Sequence, residues 1–158
     1  MLSDGGYGGG WTTATVARRR GFREALAEVP SSDHCVVESE PGFDGGVQAV
    51  TSLMTGLVQW SAIFAEYDEL AIGAIRALRL LGVDVPGQVS VIGIDDHTMA
   101  SAVDLTTVGR PVLEEGALAA RLVLDLLTDR SREPVDVSVP TRLTIRGSTH
   151  PPHVRSTV

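Results

Sequence analysis

Residues 61–96, SAIFAEYDELAIGAIRALRLLGVDVPGQVSVIGIDD, place the strongest constraint on the fold of this chain. Residues 61–65 form an apolar run that is too short for a helix, and residues 89–94 form a second one. Between them, Asp68 can cap a helix at its first turn, and Gly82 is a typical left-handed stop after the last turn. Both runs lack a polar face, which is typical of parallel strands that helices cover on each side. The stretch therefore predicts a strand, a helix and a parallel strand, the unit of an α/β fold.

Acidic side chains follow both of these strands. Glu66 and Asp68 come directly after the first strand, together with Tyr67, and Asp95 and Asp96 come after the second. A crossover between parallel strands brings both carboxyl ends to one edge of the sheet, where open α/β sheets bind their ligands. The sequence therefore predicts a rim of four carboxylates and one phenol.

The helix between the two strands is apolar almost all round, with Arg76 and Arg79 as its clearly polar residues. A surface helix normally has a single apolar stripe facing the core. We therefore expect a second burial partner in another subunit. Two-fold dimers are the commonest assembly, so the pattern predicts a homodimer whose interface includes Ile72, Ile75, Arg76 and Arg79.

The composition of the 158 residues favours a single soluble globular domain, with 43% hydrophobic and 21% charged residues. A net charge of −7 disfavours DNA binding by this chain alone, because duplex binding rests on the neutralisation of phosphates by basic side chains. We expect no contact with a membrane, since no apolar run is long enough to span one. The absence of a secretory signal pattern and the single Cys35, predicted to be a buried inert thiol, favour a cytoplasmic protein.

Helical and strand patterns alternate through the rest of the chain, which predicts a parallel sheet flanked by helices. Arg18 stands one turn from the start of the first helix and could point into a cleft, whereas Arg19 and Arg20 are expected to be solvent-exposed. The other predicted elements are a flexible glycine-rich tail (1–11), a helix (14–27), a strand (35–38), a helix capped by Asp44, a loop (97–107), a helix (112–127), strands at 135–139 and 143–145, and a disordered tail (150–158).

Four segments in order, ARRRGFREALAE (17–28), the stretch from residue 62 to 96, LTTVGRPVLEEG (105–116) and VPTRLTIRGST (139–149), resemble the effector-binding domain of the LacI/GalR family of bacterial transcription regulators. Members of that family have a helix-turn-helix headpiece followed by two lobes of the periplasmic-binding-protein type. A small effector, usually a sugar or a nucleobase, binds between the lobes.

The resemblance implies a truncated type I periplasmic-binding-protein-like fold in this chain. Residues 12–110 and 134–149 would form the second lobe, and residues 111–133 would form the helix that crosses back to the first lobe. The headpiece and most of the first lobe are expected to be missing, so contact with DNA would need a headpiece that this chain lacks. The apolar face of the crossover helix would then need another cover, such as its own sheet or a partner chain.

The resemblance also implies functional residues, one at a time. Asp95 matches a principal ligand acceptor, and Arg18 matches an arginine that holds ligand hydroxyls or carbonyls. Tyr67 stands where an asparagine is common and Arg110 where a glutamine is frequent, so both are expected to contact the ligand with altered preference. Asp68 matches the family's aspartate at the next position, which implies a helix cap that supports the cleft rather than a ligand contact.

Three functional hypotheses follow. The favoured one is the effector-sensing and dimerising part of a LacI/GalR-type regulator, without a metal or cofactor. The first alternative is a Mg²⁺-dependent enzyme that uses the rim carboxylates, although no lysine and no pair of nucleophile and base stands near the rim. The second alternative is the solute-binding protein of a sugar transporter. A degraded gene product without a cleft is a fourth, uninformative possibility.

Overall fold

Strands and helices alternate along most of the chain. The computed structural model describes residues 1–4, 13–29, 34–56, 60–129, 131 and 133–151. The elements, in chain order, are β1 (Leu2–Asp4), α1 (Thr13–Ala27), β2 (Val37–Ser39), α2 (Gly42–Met54), β3 (Ala62–Phe64), α3 (Asp68–Leu80), β4 (Ser90–Asp95), β5 (Thr106–Gly109), α4 (Val112–Thr128) and β6 (Arg142–Thr144).

The strands lie in the order β2-β1-β3-β4-β5-β6. β1 pairs with β2, β3 with β4 and β4 with β5, all in parallel. A bridge between Leu2 and Ala65 joins β1 to β3, and the Glu66 amide donates to the Leu2 carbonyl at 2.9 Å. β6 pairs with β5 in antiparallel orientation at the far edge. The predicted α/β fold is confirmed, and its direction of winding reverses between β1 and β3, the position at which such sheets bind ligands.

Helices α2 and α3 cover one face of the sheet and pack closely against each other. A β-carbon on Gly73 would lie 2.0 Å from the Phe43 carbonyl oxygen, and one on Gly46 would lie 2.2 Å from the Leu70 carbonyl oxygen. Only glycine allows the two backbones to approach this closely. The second burial partner of α3 is therefore α2 of the same chain.

This packing corrects one part of the predicted dimer interface. Ile75 is only 1% exposed and belongs to the core of the chain, so it is not available to a second subunit. Ile72 is half-buried, and Arg76 and Arg79 are exposed. Helical periodicity does not say whether a second covering helix comes from the same chain or from another, and here α2 covers the side of α3 on which Ile75 lies.

Helix α1 covers the opposite face, where Phe22 stacks on Phe64 of β3 at 5.6 Å between ring centroids. Side chains of β4 alternate accordingly: Val91 on the α2–α3 face is buried, whereas Ile92 on the α1 face is half-buried. A single helix thus leaves this face of the sheet less completely covered than the other.

Several predicted elements differ from the structure. Residues 2–4, predicted as part of the tail, form the strand β1, because Leu2 is buried between β2 and β3. The predicted strand at 35–38 begins two residues later. Strand β5 was missed, because its two threonines are polar and resemble a loop. The predicted strand at 135–139 pairs with no described strand. The remaining predicted tail residues, 5–11 and 152–158, lie outside the described residues.

Helix α4 stands apart from the core. None of its residues is buried, and its apolar side chains are exposed, with Leu113 at 83%. Val135, Val137 and Val139 line a groove together with side chains of α4, which explains their alternation without a strand. The sheet therefore does not cover the apolar face of α4, which was one of the two expected covers. No helix in the described ranges is long and apolar enough to cross a membrane.

Candidate ligand-binding site

Three of the predicted ligand residues meet at the carboxyl edge of the sheet. Arg18 of α1 donates through Nη2 to Asp95 Oδ1 at 3.3 Å and through Nη1 to the Glu66 carbonyl at 3.0 Å. Arg110, which follows β5, places Nη1 3.8 Å from the same Asp95 oxygen and Nη2 3.3 Å from Glu115 of α4. The Asp95 side chain remains 38% exposed, so one carboxylate between two guanidinium groups faces solvent at this edge.

The backbone at the end of β4 is strained. Asp95 has φ +111° and Asp96 has φ +53°, a region that residues with a β-carbon rarely adopt. Aspartate tolerates left-handed φ better than most residues, because its short side chain can form local hydrogen bonds. Such outliers cluster at ligand sites, where surrounding contacts hold them in place. Asp95, which is predicted as the main ligand acceptor, and the residue after it are both outliers, and they mark this edge as the candidate site.

Asp68 supports the site rather than capping α3. The N-cap residue of α3 is Tyr67, and Asp68 is the first residue of the helix. Instead Oδ1 accepts from the Thr107 hydroxyl at 2.6 Å, and Oδ2 accepts from the His97 amide at 2.7 Å. Burial raises the pKa of Asp68, against the lowering effect of these two hydrogen bonds. The predicted cap is wrong, but the carboxylate connects the start of α3 to β5 and to the segment that follows β4.

Tyr67 points its hydroxyl toward the start of α2. The Gly42 amide donates to the Tyr67 hydroxyl at 2.8 Å, which satisfies one of the free amides of that helix. Gly42 has φ +82°, a conformation that favours glycine. Tyr67 therefore lies at the predicted edge, with its polar group partnered by the protein itself.

A buried network lies beneath this edge, between β1 and β3. Glu66, which is buried, accepts a hydrogen bond from the Ser3 hydroxyl. Arg19 donates to the Ser3 hydroxyl at 3.2 Å and to Glu38 at 3.4 Å. The expectation that Arg19 is solvent-exposed is therefore wrong, whereas Arg20 is exposed and pairs with Glu24 one turn along the helix.

Arg146 is a residue that the sequence did not single out. It donates to Asp96 Oδ1 and to the Leu105 carbonyl, both at 2.8 Å. It therefore fixes the second carboxylate of the strand end, and the Thr107 hydroxyl accepts from the Asp96 amide at 3.2 Å. Arg146 lies in the segment 139–149 that resembles the family, but no local pattern in the sequence predicts its contact with Asp96.

The four rim carboxylates do not act as one cluster. Glu66 binds Ser3, Asp68 binds Thr107, Asp96 binds Arg146, and Asp95 is shared by two arginines. In the described part of the chain, no three His, Cys, Asp or Glu side chains lie together in a way that could hold a metal ion.

A family model described as "periplasmic binding protein-like domain" matches residues 7–149. The chain belongs to this family. The resemblance to LacI/GalR regulators is confirmed by the relatives. The chain is 35% identical over 139 residues to the HTH-type transcriptional regulator CelR of Thermobifida fusca, covering 85% of this chain and 41% of that protein. It is 32% identical over 134 residues to catabolite control protein A of Priestia megaterium, covering 82% of this chain and 40% of that protein.

Solved structures of periplasmic binding protein-like regulators agree with the fold. A complex of transcriptional regulator CelR with cellobiose has a TM-score of 0.80 at 32% identity, covering 93% of this chain and 46% of that one. A LacI family regulator from Enterococcus faecium with bound ribose has a TM-score of 0.78 at 31% identity, covering 86% of this chain and 52% of that one. The chain thus spans about two fifths of the length of these curated relatives and about half of these solved chains.

Proposed function

We propose that this chain is the effector-sensing lobe of a LacI/GalR-type transcriptional regulator and binds a sugar at the edge formed by Arg18, Asp95 and Arg110. The observation that carries the proposal is the half-exposed Asp95 carboxylate, held between two guanidinium groups on a strained strand end. Arg18 connects this carboxylate to the carbonyl of Glu66, which lies at the reversal point between β1 and β3, and this supports a binding role. The cellobiose and ribose in related structures support a sugar as the ligand class.

In this proposal the Asp95 carboxylate accepts hydrogen bonds from two hydroxyl groups of the sugar, which suits its two oxygens. Arg18 donates to ring or hydroxyl oxygens from a fixed position, because its bond to the Glu66 carbonyl orients the planar guanidinium group before the ligand arrives. Arg110 supplies the second set of donors, and Tyr67 limits the space beside them.

Thermal unfolding with a panel of sugars tests this proposal. Ribose, cellobiose and lactose at millimolar concentration are added to the chain, and a sugar that binds the folded state raises Tm, because binding to the native state alone stabilises it. Asp95→Asn removes the charge that accepts the hydroxyl groups, and we expect it to abolish the shift. Asp104→Asn is the matched control, because Asp104 also has positive φ but lies outside the site.

The proposal fails if no sugar of the panel raises Tm, or if Asp95→Asn keeps the full shift. A shift that Asp104→Asn also removes would place the binding somewhere other than the strand end. Isothermal titration of the responding sugar against wild type and both variants separates a loss of affinity from a loss of folded protein.

We further propose that the regulator acts as a cytoplasmic homodimer through the exposed side of α3, on which Arg76 and Arg79 lie and at whose end Leu80 and Leu81 are exposed. Half-buried Ile72 completes this surface. The double substitution Arg76→Asp and Arg79→Asp should shift the sedimentation coefficient from dimer to monomer, whereas Arg20→Asp on the exposed side of α1 should not. A wild-type chain that sediments as a monomer at high micromolar concentration would refute this interface.

Binding rather than catalysis is part of the proposal, because each rim carboxylate already has a partner and the relatives are regulators. Mg²⁺ should therefore leave Tm unchanged, and a clear Mg²⁺-dependent stabilisation would favour the enzyme alternative. We assign control of transcription to DNA contacts made elsewhere in the regulator, since the net charge of −7 opposes phosphate binding.

A further inference from the structure

A second cavity lies far from the candidate sugar site. It has a volume of about 500 Å³ and is bounded by α1 on one side and by the less covered face of the sheet on the other. Ser61 and Ser90, at the amino ends of β3 and β4, belong to its lining. Because the sugar site lies at the carboxyl ends of the same strands, the two sites are at opposite edges of the sheet.

The walls of this cavity are mainly apolar. Phe22 and Leu26 of α1 face Phe64 and Ile92 of the sheet, and Cys35 adds a thiol. Among the described residues that line it, the groups able to carry charge are the His34 and His150 rings and the Met1 amino group, which donates to the Cys35 carbonyl and whose pKa is lowered by burial. Cavities of 300 to 1,000 Å³ with apolar walls and few polar groups are typical small-molecule sites. The composition of the walls thus favours an uncharged, largely apolar occupant.

One polar group in this lining lacks a partner. The indole Nε1 of Trp60 is buried and has no hydrogen-bond partner, and it is the single buried side-chain nitrogen or oxygen of this kind among the described residues. Buried donors in native proteins are almost always paired, and leaving one unpaired costs free energy. Because Nε1 has almost no accessible surface, the indole would have to turn toward an occupant with one acceptor in order to donate to it.

We propose that this cavity is a second ligand site, which binds a small uncharged aromatic molecule carrying a single hydrogen-bond acceptor such as a carbonyl oxygen. The aromatic part contacts Phe22 and Phe64, and the acceptor accepts a hydrogen bond from the Trp60 N–H. Helix α1 borders both sites, because Phe22 stands one helical turn after Arg18. The proposal is independent of the sugar-binding function, since neither site shares a lining residue with the other.

Two probes of matched size test it. Acetophenone has a carbonyl acceptor, and ethylbenzene has none. Both are titrated into the ¹⁵N-labelled full chain, with the amides of Ala62 and Ile63 followed by NMR, in wild type and in Trp60→Phe. Phenylalanine keeps an aromatic wall but removes the donor. We expect both probes to bind wild type, and Trp60→Phe to weaken acetophenone about tenfold, the effect of one hydrogen bond to a buried donor, and to change ethylbenzene less than about twofold.

Cys35→Phe provides a second, independent variant, because a larger side chain on this wall takes up part of the cavity volume and should weaken the binding of both probes. Circular dichroism and Tm establish that each variant is folded. The proposal is overturned if neither probe shifts the Ala62 and Ile63 amides of the wild type. It is also overturned if Trp60→Phe weakens both probes equally, or if folded Cys35→Phe binds them as the wild type does.

Discussion

The strained strand end allows a quantitative prediction at Asp95. At φ +111° a residue with a β-carbon is held in a conformation that costs on the order of 1–3 kcal/mol. Glycine adopts positive φ without this cost, but it loses more backbone entropy on folding, about 0.5–1 kcal/mol relative to alanine. Asp95→Gly and Asp95→Ala both remove the ion pairs to Arg18 and Arg110, so that loss cancels in their comparison. We therefore expect Asp95→Gly to be more stable than Asp95→Ala by about 1–2 kcal/mol.

Urea unfolding followed by circular dichroism at 222 nm measures this difference. With a slope of about 2 kcal/mol per molar urea, the midpoints of the two variants should differ by roughly 0.5–1 M. Both variants should lose the response to sugar, since neither retains the carboxylate. The strained backbone at Asp95 would then serve ligand binding and not the stability of the chain.

The matched control is Asp125, which lies on the exposed surface of α4 within regular helix. There the order reverses, and Asp125→Ala should be more stable than Asp125→Gly by about 1 kcal/mol, the difference in helix propensity. If Asp95→Ala were as stable as Asp95→Gly while the control behaved as expected, the backbone at Asp95 would carry no strain. Backbone strain at Asp95 would then have no part in ligand binding.

Further substitutions test the packing and the support of the site. In urea unfolding, Gly73→Ala should lower the free energy of unfolding by about 1–3 kcal/mol, because its β-carbon would clash with the Phe43 carbonyl of α2. The control is Gly116→Ala on α4, whose β-carbon meets nothing within 4 Å and which should raise the free energy of unfolding by up to about 1 kcal/mol. Thr107→Val removes the hydroxyl that donates to Asp68 and should cost about 1–3 kcal/mol in the same assay. Burial raises the pKa of Asp68 from 3.8, so the wild type gains stability as the pH falls through the raised pKa. The destabilisation caused by Asp68→Asn should therefore be larger at pH 4 than at pH 7, and equal values would contradict a raised pKa.

The local pattern of residues 61–96 carried enough information to predict the centre of the fold. Its strands pair in parallel with Ile63 opposite Val91, and the residues that follow them meet at one edge as expected. This part was predictable because each step depends on neighbours within a few residues: an apolar run, a helix start and a glycine stop. Arg18 and Asp95 were then placed by the resemblance, and the structure brings them into contact.

Long-range partners were not predictable in the same way. β1 is three residues long and stands beside a glycine-rich segment, so only its position between β2 and β3 identifies it as a strand. Thr106 and Thr107 look like loop residues, yet both are buried because Ser148, Arg146 and Asp68 satisfy their polar groups. Partners some 40 positions away leave no periodic trace in the sequence.

The same limit explains why a rim of four acids suggested a metal site. From the sequence, Glu66, Asp68, Asp95 and Asp96 are equivalent carboxylates at one edge. In the structure, three of them are committed to the protein, two of these buried against hydroxyl groups and the third held by Arg146. Asp95, with a side chain 38% exposed, lies between Arg18 and Arg110, whereas Asp96, with a side chain 36% exposed, is bound by Arg146 at 2.8 Å. A carboxylate with two guanidinium groups presents both acceptors and donors, the complement of neighbouring hydroxyl groups on a sugar, whereas a divalent cation there would meet two positive charges.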